Sequence, residues 1–145
     1  MTRRLLVLAL LLVALPAIAS AQTVNADGGV ALKGTDVVAY FTDGKVVAGS
    51  AQFTHRWHDA EWRFASAANR DAFAREPEKY APQYGGFCAW GMAQGYRAPI
   101  DPAAFRVVDG KLYLNYNRSV QSNWLKDIPG HVTKAVTNWT KLRGQ

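Results

Sequence analysis

The stretch from residue 52 to residue 73, QFTHRWHDAEWRFASAANRDAF, decides the fold class of this 145-residue chain. Its first half alternates aromatic or histidine side chains with polar ones, and a His-Asp-Ala turn leads into a second alternating run. This pattern predicts two antiparallel strands joined by a tight turn. Ser66 is a good N-cap for the helix-forming residues that follow it, and Pro77 closes that helix. The stretch therefore predicts a hairpin that leads into a helix.

Asp-Gly dipeptides lie between β-branched and aromatic runs at two other places, within residues 37–48 and within residues 107–116. Asp-Gly favours the two-residue turns of hairpins, so both segments are predicted to be hairpins. Residues 101–105, which contain an Asp-Pro pair, are expected to form a turn or a single helical turn.

Short helices are expected in the second half of the chain. A Gly-bounded helix is predicted over residues 87–94, and a helix over residues 118–126 follows Asn117 as its cap. Pro129-Gly130 should break that helix, and apolar residues at helical spacing predict a last helix over residues 131–142. The predicted fold class is α+β, with small antiparallel hairpins, inserted short helices and two C-terminal helices.

The amino-terminal residues 1–21 predict a cleaved signal peptide. Two arginines precede an apolar run, and Ala-Ser-Ala at residues 19–21 forms a cleavage site. The apolar run is too short to span a membrane, and no later segment is apolar enough, so no span is expected after cleavage. We expect a Sec-type signal and a periplasmic or secreted protein, with the arginine pair leaving a twin-arginine signal open. Residues 22–32 are predicted to be a flexible lead-in, and residues 33–145 to form one domain.

The charge pattern excludes some classes of protein. The full chain carries a formal net charge of +6, but its basic residues are spread out and form no stripe, so no nucleic-acid partner is expected. The chain also lacks a P-loop, a dinucleotide-binding glycine motif, an H-E-x-x-H zinc motif and an EF-hand loop. Binding is therefore favoured over catalysis.

Cys88 is the only cysteine of the chain. Because an exported protein meets an oxidising environment and one cysteine cannot form an intrachain disulfide, three roles stay open. Cys88 is a buried inert residue, a partner of an external thiol, or a ligand. Within a helix, Cys88 and Met92 would share one face, and this soft sulfur pair suits Cu(I) with His55 as a third ligand.

Two alternatives to a copper site follow from other residues. An aromatic pocket lined by Trp57, Trp62 and Trp90 would bind an apolar ligand or another exported protein, and Cys88 would then be structural. A thiol enzyme or redox protein would combine Cys88 with His55 and Asp36.

Residues 64–73, FASAANRDAF, followed by PEKY at residues 77–80, resemble the YHS domain, whose pattern runs F-C-S-x-x-C-x-x-x-F and ends in P-E-K-Y. Residues 34–40 resemble its opening segment. Residues 85–90 and 110–116 look like the exported subgroup of this family. The resemblance covers nearly all of the predicted domain.

The resemblance implies a scaffold associated with metal handling, in which three cysteines supply a thiolate site for Cu(I) or zinc. The corresponding positions in this chain are about Ala39, Ala65 and Asn69, and none of these side chains supplies a thiolate. The resemblance therefore implies an exported binding module, but any soft-metal binding or sensing requires a new site around Cys88. Otherwise the fold persists without the metal.

Overall fold

The structure is a computed structural model that describes residues 23–145, so the predicted signal peptide lies outside the described residues. The strands are β1 (Ala26–Asp27), β2 (Val30–Ala31), β3 (Ser50–Trp57), β4 (Ala60–Phe64), β5 (Asp101–Val108) and β6 (Lys111–Asn115). The helices are α1 (Val37–Thr42), α2 (Ala67–Arg75), α3 (Pro77–Tyr80), α4 (Ala89–Gln94), α5 (Arg118–Leu125) and α6 (Ile128–Leu142). This content confirms the predicted α+β class, with two helices at the carboxyl end. No helix in this range combines the length and apolar character that a membrane crossing requires.

The strands form two small sheets. The first has the order β1-β2-β4-β3, in which β3 and β4 are antiparallel and β2 runs parallel to β4. The second consists of β5 and β6, whose antiparallel pairing confirms the predicted third hairpin. Its tip residues, Asp109 and Gly110, both have positive φ angles, as a two-residue hairpin turn requires.

Two clusters of buried side chains hold these elements together. The sheet core contains Leu32, Val37, Trp62, Phe64, Phe73, Cys88 and Leu112 among others. The helix core contains Tyr84, Phe87, Ala89, Met92, Tyr113, Trp124 and Ala135 among others. A large aromatic side chain buries about 150–250 Å², so the tryptophans at the centres of the two cores are major sources of stability.

Several predicted local signals are confirmed. The Ser66 hydroxyl accepts a hydrogen bond from Asn69 N and caps α2, and Pro77 opens α3. Asn117 caps α5 in the same way, through Val120 N. Short side chains that accept hydrogen bonds from the first turn satisfy donors that the helix cannot pair internally.

The predicted hairpin over residues 37–48 is wrong, because Val37–Thr42 forms α1. Asp36 caps this helix, and its Oδ1 accepts hydrogen bonds from the second and third helical N–H groups. The first four residues of α1 are buried, and this packing outweighs the weak preference of β-branched residues for strands. Gly44 has a φ of 65° and donates its N–H to the last turn, so Asp-Gly ends a helix here.

The turn expected at residues 101–105 is also wrong, because β5 begins at Asp101. The register with β6 shifts between Asp101 and Phe105, which marks a bulge or irregularity. Pro102 lies within this irregular part, where its missing N–H is tolerated. The proline therefore marks a break in the ladder rather than the end of the strand.

Residues 23–32, most of the expected flexible lead-in, contain strands and buried side chains in the structure. This segment contains β1 and β2, and Val24 and Leu32 are buried in the sheet core. Asn25 N donates to Gly85 O at 2.8 Å, which fastens the segment to a distant part of the chain. Backbone hydrogen bonds and three buried apolar residues, Val24, Ala31 and Leu32, thus hold a stretch whose sequence shows no periodicity.

Two helices begin at different residues from those predicted. Cys88 is the N-cap of α4 and precedes the helix, which starts at Ala89. The α6 helix starts at Ile128, and Asp127 caps it by accepting from Gly130 N at 3.0 Å. Proline is well tolerated in a first helical turn because the N–H that it lacks would be unpaired there.

Candidate functional site

The Cys88 thiol lies inside the sheet core, where it both accepts and donates a hydrogen bond. The residue is 1% exposed. Its Sγ accepts a hydrogen bond from Gly91 N at 3.4 Å and donates one to Asn115 Oδ1 at 3.6 Å. Asn115 Oδ1 also accepts from Trp90 N at 3.0 Å, so the three groups form one buried junction between α4 and β6.

The second expected sulfur ligand, Met92, packs elsewhere. It is 0% exposed and belongs to the helix core, whereas Cys88 belongs to the sheet core. The backbone N–H of Met92 does donate to Cys88 O, as helical spacing predicts. The two side chains nevertheless pack against different sets of neighbours.

The expected third ligand, His55, is half-buried on β3. It lies opposite Trp62 in the β3–β4 ladder, and its ring meets the edge of Phe73 with the centroids 6.0 Å apart. Within residues 23–145, no group of three or more His, Cys, Asp or Glu side chains is arranged to hold a metal ion. The three residues of the predicted copper site therefore have separate partners.

The three positions that the YHS resemblance matches to cysteines converge on one carboxylate. Ala39 N donates to Asp36 Oδ1 at 3.2 Å, while Ala65 N and Asn69 Nδ2 donate to Asp36 Oδ2 at 2.9 and 2.8 Å. Asp36 is fully buried, and Val38 N is its fourth donor. The carboxylate thus joins α1 to α2 and to the residue that follows β4. Its hydrogen bonds go to these groups and not to His55, which the predicted thiol enzyme would require.

The domain also has a cleft that neither Cys88 nor Asp36 lines. This main cleft has a volume of about 500 Å³, and its lining includes Trp57, His58, Trp62, Tyr84, Trp139 and Arg143. The β3–β4 turn, α3, the segment after α3 and the outer face of α6 all contribute to its walls. Trp57 and Trp62, two of the predicted pocket residues, lie in it together.

The aromatic wall of the main cleft is built from the β3–β4 hairpin. The Trp57 ring meets the edges of His58 and Trp62 at centroid distances of 4.0 and 5.6 Å. Trp62 Nε1 donates to Trp57 O at 3.0 Å, so its polar atom is paired and its ring faces apolar neighbours. This wall is rigid because both tryptophans also pack on Phe73.

Another wall is formed by Val136, Trp139 and Thr140 of α6 and by Arg143, which caps the carboxyl end of that helix. Hydrogen bonds hold this helix in place, because Asn138 Nδ2 donates to Met92 O at 2.8 Å and the Arg97 guanidinium donates to Leu142 O. The lining residues follow helical spacing and form one stripe. Helical spacing is the only sequence signal that these residues carry, and it does not indicate which surface they face.

Left-handed backbone conformations occur at two places on the main cleft. His58 and Asp59 at the hairpin tip have φ angles of 49° and 58°, and Tyr84 has a φ of 58°. His58 and Asp59 are the two central residues of the β3–β4 turn, where a two-residue hairpin turn requires positive φ, whereas such an angle is unfavourable for Tyr84. Gly85 lies so close to Thr23 that a Cβ there would be 2.0 Å from Thr23 O. The surrounding structure therefore holds the backbone of the cleft wall in these conformations.

Two charged side chains on the main cleft are unpaired within the described part of the chain. Glu78 and Arg143 both line it. The ion pairs found in residues 23–145 involve other residues, namely Glu61–Arg63, Arg70–Asp71 and Glu76–Lys79. Both charges are therefore available to a ligand.

Three buried phenols, Tyr40, Tyr84 and Tyr113, have perturbed acidities. Burial is the main cause and raises the pKa of all three hydroxyls above the ordinary value. Negative charge from Asp101 raises the pKa of Tyr40 further, and Asp109 does the same for Tyr113. Tyr84, on the main cleft, therefore keeps its proton at neutral pH.

Trp90, the third predicted pocket residue, lines a different and smaller cleft beside Cys88, Tyr96 and Tyr116. The three tryptophans of the predicted pocket thus divide between two clefts.

Compared with known proteins, the chain matches no family model, no curated protein and no solved structure at a significant level. The YHS resemblance therefore remains an interpretation of the sequence motifs.

Proposed function

We propose that this chain is an exported binding module whose main cleft holds a small organic ligand with an apolar, ring-containing body and an anionic group. The observation that carries the proposal is a cleft of about 500 Å³ whose lining includes Trp57, Trp62, Tyr84 and Trp139. This volume falls within the range of small-molecule sites, which are usually apolar clefts with a few polar groups.

The lining residues support this ligand class. Trp57 and Trp139 offer ring faces and edges to an apolar body. The unpaired Arg143 offers a charged donor to an acidic group, and the unpaired Glu78 offers an acceptor to a donor group elsewhere on the ligand. The protonated Tyr84 and the histidine at the hairpin tip add further polar contacts. Export is supported by the predicted signal peptide alone.

The soft-metal function inferred from the sequence stays a prediction. The separate surroundings of Cys88, Met92 and His55 favour the main cleft over a copper site. Titrating Cu(I) under reducing conditions into the protein and its Cys88→Ala variant tests it. Tight binding that the variant loses would support copper, whereas equal, weak binding by both would argue against it.

Binding at the main cleft can be tested with 8-anilinonaphthalene-1-sulfonate, an anionic ring compound whose fluorescence rises in apolar sites. Val136 lies on the cleft and is 54% exposed, while Val46 is 39% exposed and does not line it. A Val136→Glu change should leave the fold intact but place a carboxylate beside the probe. At separations of about 4–6 Å, like charges near a protein surface repel by a few kcal/mol at most, so we expect binding to weaken about tenfold.

Val46→Glu adds the same charge away from the main cleft and serves as the matched control. Arg143→Gln should weaken binding of the sulfonate severalfold, because it removes the attractive charge. Equal affinities for the two glutamate variants would show that the probe does not occupy the main cleft and would reject the proposal.

A further inference from the structure

The smaller cleft beside Cys88 has an unusual lining. It has a volume of about 250 Å³ and is lined by Cys88, Trp90, Tyr96, Ala98, Tyr116 and Val120. Three of these six residues are aromatic, and no Asp, Glu, Lys or Arg of the described chain is among them. We refer to Trp90, Tyr96 and Tyr116 as the aromatic cage.

The three rings come from different parts of the fold and leave a gap between them. Trp90 is on α4, Tyr96 follows that helix, and Tyr116 follows β6. Eleven ring pairs occur within residues 23–145, and none of them involves a member of the aromatic cage. The rings line one cleft without packing on each other. Tyr96 and Tyr116 are 47% and 52% exposed, so part of each ring remains accessible, whereas Trp90 also packs against both cores.

The cage is fixed by its backbone. Trp90 N donates to Asn115 Oδ1 at 3.0 Å, which ties the start of α4 to the residue that precedes Tyr116. Tyr96 N donates to Gly91 O at 3.1 Å, and a Cβ on Gly91 would lie 3.0 Å from Tyr96 Cε2. The missing side chain at Gly91 therefore lets the Tyr96 ring lie against α4, although this tyrosine is 47% exposed.

We infer that the aromatic cage binds a methylated or quaternary ammonium group. The face of an aromatic ring carries partial negative charge and attracts cations, and several rings around one gap recognise quaternary ammonium ligands. A lining without carboxylates favours a weakly hydrated, methylated cation over a primary ammonium, which needs hydrogen-bond acceptors to replace its water. The apolar Ala98 and Val120 suit the methyl groups of such a ligand.

Tetramethylammonium and its neutral, similarly shaped analogue tert-butanol are suitable probes. Each is titrated into the protein while the indole N–H signals are followed by NMR. We expect tetramethylammonium to shift the Trp90 signal in a saturable manner and tert-butanol to bind at least severalfold more weakly. The main-cleft variants Val136→Glu and Arg143→Gln should leave this binding unchanged, so the two sites are tested separately.

Paired substitutions distinguish ring electrostatics from simple apolar contact. Tyr96→Phe and Tyr116→Phe keep the ring face and should bind tetramethylammonium nearly as the unmodified protein does. Tyr96→Leu and Tyr116→Leu keep an apolar side chain but lose the ring, and each should weaken binding about two- to fivefold, as expected for a cation–π contact at an exposed site. Both tyrosines are about half exposed, so these variants should fold.

Three results would overturn the inference. One is that tert-butanol binds as well as tetramethylammonium. Another is that the leucine variants bind as well as the phenylalanine variants. The third is that the Trp90 signal does not move with either probe.

Discussion

Replacing Asp36 with asparagine exchanges one carboxylate oxygen for an amide NH₂ group at almost constant volume. Asp36 is fully buried, and each of its oxygens accepts two hydrogen bonds. In the variant, the NH₂ group, which cannot accept hydrogen bonds, must therefore face two donors. We expect it to face Ala65 and Asn69, because Ala65 is exposed while Val38 and Ala39 are buried.

The cost follows from the donors that lose their acceptor. A buried donor without a partner destabilises a protein by about 1–3 kcal/mol, which gives about 2–6 kcal/mol for two. Asn69 can rotate its amide so that its oxygen accepts from the new NH₂ group, and water can reach Ala65 N in part. We therefore expect Asp36→Asn to lower the free energy of unfolding by about 1–3 kcal/mol, a large part of the about 5–15 kcal/mol that domains usually have.

Urea unfolding followed by tryptophan fluorescence measures this change, and the slope with denaturant should stay constant. Asp43→Asn is the matched control, because Asp43 is exposed at the other end of α1 and its side chain makes no hydrogen bond in the described structure. That variant should stay within about 0.5 kcal/mol of the unmodified protein. If Asp36→Asn changed the free energy of unfolding no more than Asp43→Asn does, the four hydrogen bonds to Asp36 would not be stabilising the fold.

Three more predictions concern the backbone at Gly85, the buried tyrosine hydroxyls and the Cys88 thiol. Gly85→Ala should destabilise more than Gly110→Ala, because both have positive φ but only the first methyl would meet Thr23 O; equal shifts in the urea midpoint would contradict this. The raised pKa values of the three buried phenols mean that their stabilising contribution is complete below the ordinary pKa of about 10 and is lost as pH rises above it. Phenolate absorbance from these residues should therefore appear together with unfolding, and its appearance in a folded protein would be the opposing result. Cys88 should react with dithionitrobenzoate at neutral pH only when the protein opens, so a fast rate that is insensitive to urea would reveal an accessible thiol.

Features encoded within a few residues could be predicted from the sequence. The β3–β4 hairpin and α2 follow from alternation, a turn and the Ser66 cap, and all of these signals are local. The α1 helix could not be predicted in this way. Its cap, Asp36, is held by Ala65 and Asn69, which lie about thirty residues later in the chain and carry no sequence signal of that contact.

The residues of the candidate site also separate into those that a local sequence signal predicts and those that it does not. Trp57 and Trp62 could be paired because one hairpin carries both. Tyr84 and Trp139 could not be added, because nothing in their own segments indicates where α6 packs. Trp90 was grouped with the wrong tryptophans for the same reason, since its cleft forms where α4 meets the end of β6.

The main cleft is lined by residues that lie far apart in the sequence, Thr23 shortly before β1 and Arg143 directly after α6. Very short strands and the last turns of helices usually open at low cost and exchange their amide hydrogens fast. A ligand that touches both residues would suppress fraying of β1 and of the last turn of α6 at once. Hydrogen exchange at these two segments would then slow together on binding, which makes them a built-in reporter of occupancy for any compound screened against the cleft.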